Sequence, residues 1–371
     1  MNFGGLFRQP HVWTSPEGGD PIAVSSRIRL ARNLAGHAFP AWAGEEECVR
    51  IWNRLTPVLD AAPSLDHPLT AGNQEISPLE RHILVERHLI SHEHAGKGRG
   101  SGVVLRRDES LVIMVNEEDH LRMQALAPGL QLREAWERID RLDSELDATL
   151  DYAFSPRLGY LTACPTNVGT ALRASVMMHL AGLALLDEMR PVINGIQKLG
   201  LTVRGLWGEG TEASGNMFQV SNQMTLGESE GDIIHRLHQI VVEIIGHERN
   251  ARARLMGTKE HVLRDTVGRA WGILRHAHVL TSREALDSLS ALRLGIDAGI
   301  LEPLPLSIVD ELLLLTQPAH LQSLEKRVLS PEERDVVRAR LVRERLNPPP
   351  RRRGQPRKTE DGPDRPEEKN T

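Results

Sequence analysis

The sequence predicts an α+β protein, a sheet flanked by helices, followed by a smaller all-helical region. Short runs rich in β-branched residues, such as Leu111-Val112-Ile113-Met114-Val115, sit between turn-forming residues and are too short for helices. Leu132, Trp136, Ile139, Leu142, Leu146 and Leu150 recur at intervals of three and four, the spacing of an amphipathic helix that covers a sheet. The last third shows successive capped helical segments and no strand pattern. The expected division is an α+β domain over 1–256, a helical domain over 257–346 and a tail over 347–371. The prolines, arginines and mixed charge of that tail predict disorder.

A chain of 371 residues, 40% hydrophobic and 26% charged, can bury a substantial core. Its net charge of −5 speaks against general polyanion binding, so no direct nucleic-acid partner is expected. The first twenty residues lack the apolar core of a signal peptide, and no apolar run approaches the ~20 residues needed to cross a bilayer. Cys48 and Cys164, far apart, make neither a disulfide framework nor a zinc pattern, which fits the reducing cytoplasm. His92-Glu93-His94 lacks the helical spacing of a metal pair and reads as surface.

Taken in order, Ile22-Ala23-Val24 reads as a strand leading into Ser25-Ser26-Arg27-Ile28-Arg29. If that segment is extended, Arg27 and Arg29 project from one face as an anion clamp; the competing reading is the charged outer face of an edge strand. A helix is expected over Glu45 to Leu59. Ser77-Pro78-Leu79-Glu80 carries an N-cap, a proline at the first helical position and a capping-box acid, and opens a helix expected to run past His88. After a glycine-rich loop, Gly96 to Gly102, Val103-Val104-Leu105 and Leu111 to Val115 make an antiparallel hairpin. It ends in Asn116-Glu117-Glu118-Asp119-His120-Leu121-Arg122. Acids this close raise one another's pKa unless a cation sits among them, so the cluster suggests a pocket for a positive ligand; a solvated acidic turn capped by Asp119 is the alternative.

Leu158 to Thr162 reads as a strand, and Ala163 to Gly169 as a tight polar loop. A helix is expected next, through Val176-Met177-Met178-His179-Leu180, with Arg173 in its first turns. A cation there is disfavoured by the helix dipole and suggests a bound anion, against an ordinary surface arginine. Pro191-Val192-Ile193, Leu199 to Trp207 and Met217 to Asn222 read as strands. Between the last two, the glycine-rich Gly208 to Asn216 could close over a substrate and carry Glu209 or Glu212 with it. No Walker pattern and no HRD or DFG set occurs. A long helix follows from about Gly231 to Met256. Further helices are expected over Thr258 to His276, Leu286 to Ile296, Ser307 to Leu315 and from Ser330 to Leu346.

Ser25-Ser26-Arg27-Ile28-Arg29, Asn116 to Arg122, Cys164-Pro165-Thr166-Asn167 through Arg173-Ala174-Ser175, and Arg204-Gly205 through Glu209 occur in this order and together resemble the ATP:guanido phosphotransferase catalytic domain. The similarity covers roughly the first two thirds of the chain and is greatest to the bacterial protein arginine kinases of that family. As in those kinases, the chain begins almost directly at the Ser-Ser-Arg-Ile-Arg segment, without room for the N-terminal helical domain of the small-substrate enzymes. The resemblance implies a mainly antiparallel sheet of the phosphagen-kinase type and an acceptor site open enough for an arginine side chain on a protein. It also implies ATP and Mg2+ as cofactors.

The resemblance assigns Arg27, Arg29, Arg122, Arg173 and Arg204 to the phosphate clamp, with Ser25, Ser26 and Ile28 bordering it and His88 beside the base. The nucleotide site would further draw on Ala174, Ser175, Val176 and Met177, and on Gly205, Leu206, Trp207, Gly208 and Glu209. Glu118 matches the acid that deprotonates the guanidinium, Glu209 its partner, and Cys164 the family's reactive cysteine. A base is a physical necessity, because a guanidinium with a pKa above about 12 has no free lone pair until a proton leaves. In the last predicted helix, Arg334-Asp335-Val336-Val337-Arg338-Ala339 matches the RDxxRA motif with which these kinases bind phosphoarginine. An exposed helix laced with charge pairs is the competing reading.

Protein substrates with accessible arginines, marked for Clp-type degradation in a stress response, are implied. So are an McsA-like activator, a CtsR-type repressor, a ClpC-type unfoldase and a homodimer. A small-molecule arginine kinase and a non-catalytic phosphoarginine adaptor are the competing functions.

Overall fold

The computed structural model describes residues 7, 11–12, 21–205, 214–301 and 304–347. In chain order the elements begin with β1 (Ala23–Arg32), α1 (Glu45–Ala61), β2 (Leu69–Gly72), α2 (Pro78–Glu86) and α3 (His92–Ala95). Next come β3 (Gly102–Leu105), β4 (Leu111–Val115), β5 (Leu121–Pro128), α4 (Leu132–Asp147), β6 (Phe154–Ser155), β7 (Gly159–Tyr160) and β8 (Leu172–His179). The middle closes with α5 (Ala181–Leu185), α6 (Met189–Lys198), β9 (Leu201–Gly205), β10 (Met217–Asn222) and α7 (Glu230–Thr258). The C-terminal helices are α8 (Glu260–His276), α9 (Ser282–Asp297), α10 (Leu306–Leu315), α11 (Pro318–Glu325) and α12 (Pro331–Leu346).

One eight-stranded sheet runs in the order β2-β3-β4-β5-β1-β8-β10-β9, and its pairings are antiparallel. The expected antiparallel sheet flanked by helices is therefore present. Strand β1 lies in the middle, and its period of two gives the sheet two unlike faces. Ile28 and Leu30 join Met123, Ala125, Ala174 and Val176 in the main core, roofed by Ile139 and Leu142 of α4 and Leu237 and Val241 of α7. Each such buried side chain contributes about 1.5–3 kcal/mol of transfer free energy.

Among the described residues, the other face is covered at its two ends. Near β3 and β4, Leu84 and Val85 of α2 pack on Val103, Leu105, Val112 and Met114. Near the start of β1 and β10, Val24 and Met217 pack on Leu286, Leu289, Leu312 and Leu313 of the C-terminal helices. A polar strip is left between.

Helix starts follow the sequence. Ser77 and Glu80 form a capping box at α2, as do Ser330 and Glu333 at α12. Ser229 and Thr281 cap α7 and α9 by accepting the amides of Asp232 and Glu284. Each cap contributes about 1 kcal/mol.

Several expectations are corrected. Leu172 to His179 is strand β8, not the opening of a helix: Leu172, Ala174, Val176 and Met178 alternate into the core, a period of two that outweighs the apolar run. Pro191-Val192-Ile193 lies in helix α6, where the proline falls in the first turn and costs no hydrogen bond. Helix α2 ends at Glu86, and His88 beyond it takes a left-handed φ of 58°. Leu158 to Thr162 supplies only the short β7. His94 is buried rather than on the surface, while His92 is exposed. Strand β5 and helix α11 were not anticipated. The tail from Pro348 lies outside the described residues.

Candidate active site

The polar strip of the sheet is where the predicted arginines meet. Arg29 of β1 stands directly opposite Arg173 of β8, and Arg27 opposite Ser175. Arg122 of β5 pairs with Ala31 of β1, one pleat step from Arg29. Arg204 of β9 pairs with Gln219 of β10, whose Oε1 accepts from Arg27 Nη2 at 2.8 Å. Cross-strand register alone thus gathers guanidinium groups distant in sequence onto one face.

Their electrostatics mark a site short of negative charge. Burial, aided by Arg122, lowers Arg27 to about 10. Burial together with Arg27, Arg122 and Arg173 pushes Arg29 well below its ordinary value, against the pull of Glu117. Burial and the neighbouring Arg204 and Arg122 likewise lower Arg173. Arg29 Nε is buried without a hydrogen-bond partner among the described residues. An unsatisfied buried donor costs about 1–3 kcal/mol, more when charged, and a bound polyanion relieves it.

Facing the cluster is the acidic segment, which turns between β4 and β5. Asn116, at a φ of 55°, anchors it by donating to the carbonyls of Gly100 at 2.7 Å and Cys48 at 2.9 Å. Gly100 is required there: its φ is +85°, and a Cβ would lie 2.7 Å from the Val49 amide nitrogen.

The consecutive acids then diverge. Glu117 accepts from Arg122 Nη1 at 2.7 Å on both carboxylate oxygens, from Ser91 Oγ at 2.6 Å and from the Glu118 amide at 2.9 Å. Burial works against its ionisation, but these partners prevail and hold it at about 2. Asp119 accepts from Asn33 Nδ2 at 2.6 Å and the Ala163 amide at 2.7 Å, which ties the turn to the Cys164 loop. Glu118 is exposed and makes no ion pair among the described residues. Partial burial, then Asp119 and Glu117, raise its pKa. A carboxylate so placed can take a proton from a cation brought beside the arginines.

Other predicted residues divide between the two faces. Ser25, Ser175 and Met177 share the arginine face with His88, lining one cavity with Arg27. Burial, then Arg27 and His92, lowers His88 to about 3, so it is neutral at pH 7. Ile28, Ala174 and Val176 belong to the core instead. Ser26 is also turned away, donating to the Gly129 carbonyl at 2.8 Å. Cys164 Sγ lies 3.0 Å from Thr166 Oγ1, and Asn167 Oδ1 accepts from Arg173 at a long 3.4 Å. Gly205 ends β9, whereas Leu206, Trp207, Gly208 and Glu209 lie outside the described residues.

The motif in α12 stands apart from the strip. Arg338 is buried, donating from Nε to the Thr316 carbonyl at 2.8 Å, from Nη1 to the Leu280 carbonyl at 2.8 Å, and to Asp335. Val337 and Ala339 are buried beside it, Arg334 and Asp335 are half-buried, and Val336 is exposed. Arg334 and Arg338 therefore differ in exposure, although one turn separates them.

Gln219 escaped the sequence reading and is legible only through its period-two position in β10. The sequence places Glu117 in the acidic cluster, but does not single it out as the acid that Arg122 reaches. Among the described residues no group of three His, Cys, Asp or Glu side chains is arranged to hold a metal ion, and no helix is long and apolar enough to cross a membrane.

Comparison with known proteins agrees with this geometry. Residues 67–251 match the family model "ATP:guanido phosphotransferase, C-terminal catalytic domain", and residues 260–359 match "Protein-arginine kinase McsB C-terminal domain". The chain is 47% identical over 335 residues to a protein-arginine kinase of Pelotomaculum thermopropionicum, covering 89% of this chain and 94% of that one. It is 47% identical over 361 residues to a protein-arginine kinase of Geobacillus stearothermophilus, covering 95% and 98%. Among solved structures, a lombricine kinase superposes with a TM-score of 0.55 at 24% identity, over 66% of this chain and 72% of that one. A duplicated taurocyamine kinase of Schistosoma mansoni with bound transition-state-analogue components gives a TM-score of 0.58 at 25% identity, over 77% and 41%. The arginine strip, the divided acids and relatives matched along nearly their whole length lead to one conclusion: the chain belongs to the protein-arginine kinases of the ATP:guanido phosphotransferase family.

Proposed function

We propose that this protein transfers the γ-phosphoryl group of ATP to the guanidinium of arginine side chains on other proteins. The observation that carries the reading is the crowding of half-buried, incompletely neutralised arginines opposite one exposed carboxylate, Glu118, whose pKa is raised. Phosphoryl transfer demands little covalent chemistry of the protein; it demands positioning and neutralisation of charge on the phosphate oxygens. Arg27, Arg29, Arg122, Arg173 and Arg204 supply both, and Glu117 fixes Arg122 in place. Mg2+ belongs with the triphosphate as part of the substrate.

The acceptor guanidinium approaches Glu118, which takes a proton as the freed nitrogen lone pair attacks phosphorus. A nitrogen–phosphorus bond forms, the bond from phosphorus to the bridging oxygen of ADP breaks, and ADP leaves with that electron pair. Glu209 is assigned as a second carboxylate by its place in the motif.

Arg334, Asp335 and Arg338 are proposed as a regulatory phosphoarginine site on the strength of the motif in α12. Marking of substrates for Clp-type degradation, the McsA-like, CtsR-type and ClpC-type partners, a homodimer and a cytoplasmic location belong to the same reading and rest on the resemblance. The test is incubation of the purified protein with ATP, Mg2+ and either an arginine-rich protein or free arginine, followed by mass spectrometry. Phosphoarginine on the protein is expected. Phosphorylation of free arginine alone would return the chain to small-substrate chemistry, and no transfer to either acceptor would refute the reading.

A further inference from the structure

We infer that the corner between α10 and α11, Leu313 to Gln317, is the wall of the nucleotide pocket that seats the purine base. The inference rests on the ATP reading above and deepens it, because it gives the C-terminal helices a direct part in binding the substrate.

A cavity of about 680 Å³, counted out to its open mouth, lies between the polar strip and these helices. Arg27 and Ser175 border it on the sheet side, with Met177 and Met217 beyond them, and Leu313, Leu314 and Gln317 close it from the helix side. Arg27 belongs both to this cavity and to the arginine cluster. The pair Arg29 and Arg173 stands one pleat step away along β1 and β8, about 7 Å. A ligand whose anionic end lies on that pair therefore has its other end in the cavity.

The lining changes character over that step. Guanidinium groups give way to thioethers and leucines, beside His88, which burial keeps neutral. An apolar, polarisable slot with a few polar groups at its rim suits a flat uncharged ring with polar edges, and it does not suit more phosphate.

The helical wall is pinned from two sides. Glu86, at the end of α2, accepts from the backbone amides of Ala319 at 2.7 Å and His320 at 3.0 Å and from His320 Nδ1 at 2.7 Å. From α12, Arg338 holds the Thr316 carbonyl, and within the corner Gln317 Nε2 donates to the Leu313 carbonyl at 2.8 Å. A wall fixed before the ligand arrives loses little conformational entropy on binding.

The test compares ATP with inorganic tripolyphosphate, which offers the same anion without a base, each with Mg2+. In the unaltered protein, ATP should slow amide hydrogen exchange across Leu313 to His320, while tripolyphosphate should leave that segment unchanged. Leu314→Trp, which fills the slot, should weaken ATP binding about 10-fold or more and leave tripolyphosphate binding as it was. Protection absent from Leu313 to His320 under ATP, or equal losses for ATP and tripolyphosphate in a folded variant, would overturn the wall. Should Leu314→Trp fail to fold, the exchange result on the unaltered protein decides alone. Failure of the unaltered protein to bind ATP would instead overturn the ATP reading itself, and the wall with it.

Discussion

Glu117, Glu118 and Asp119 are chemically almost interchangeable, yet their neighbours give each a separate task. Glu117 neutralises Arg122, Asp119 fastens the turn to the Cys164 loop, and Glu118 is left exposed with no ion pair among the described residues, free for the role of base proposed above. The sequence showed that acids cluster; it did not show which one a guanidinium would claim, because that depends on register across β4 and β5. A base must be ionised to accept a proton, so turnover should fall as pH drops through the Glu118 pKa, which is raised above 4.5. Glu117, held at about 2, remains ionised throughout that range. A pH–rate profile should therefore show an acid limb shifted upward from the ordinary glutamate value. Persistence of the same limb in the residual activity of Glu118→Gln would assign it to another group, Asp119 first. Arg29 offers a second check. Its Nε is buried and, among the described residues, without a hydrogen-bond partner beside repelling cations, so Arg29→Met should raise the free energy of urea unfolding by about 1 kcal/mol or more while abolishing measurable ATP binding. A destabilised variant that still binds ATP would contradict this account of the cluster.

Elements with one dominant signal were legible: β1 from its alternation, α4 from its apolar stripe, and α2 and α12 from their capping boxes. Strand β8 was not, because Val176-Met177-Met178 looks like a helical run unless Leu172 and Ala174 are counted into a period of two. With β8 as a strand there is no helix dipole at Arg173, and its place opposite Arg29 explains the cationic cluster instead. Helix α6 was missed for the converse reason, since β-branched Val192 and Ile193 suggested a strand although Pro191 is tolerated in a first helical turn. Long-range side-chain anchors were invisible for lack of any local pattern. Glu248 of α7 is the clearest: fully buried, it accepts from the Gly182 and Leu183 amides at 2.8 and 2.9 Å and from Arg252 Nε at 2.6 Å. Glu248→Ala would leave two helix-start amides without their acceptor while Arg252 keeps Asp297 and the His179 carbonyl, and should lower unfolding free energy by about 2–4 kcal/mol. A urea midpoint unchanged from the unaltered protein would show that the network contributes nothing.

Order of motifs along the chain made the catalytic reading possible from sequence, whereas the packing of the C-terminal helices against the sheet became visible only in the structure. Val24 and Met217 of the sheet share a core with Leu286, Leu312 and Leu313, so the α12 motif and the arginine strip belong to connected packing. If Arg334 and Asp335 form a regulatory site, added phosphoarginine should raise initial rates several-fold, a coupling of about 1–3 kcal/mol. In Arg334→Ala/Asp335→Ala that rise should vanish with basal turnover largely retained; an undiminished response would place regulation elsewhere. The central claim is that Glu118 accepts the proton of an arginine held before an arginine-bound ATP. Its most direct test is the initial rate of phosphoarginine formation on a protein acceptor, at saturating ATP, for the unaltered enzyme and Glu118→Gln, with ATP affinity measured alongside. The expected result is a rate lower by about 100-fold or more with ATP affinity nearly unchanged. Equal rates in the two proteins would contradict it.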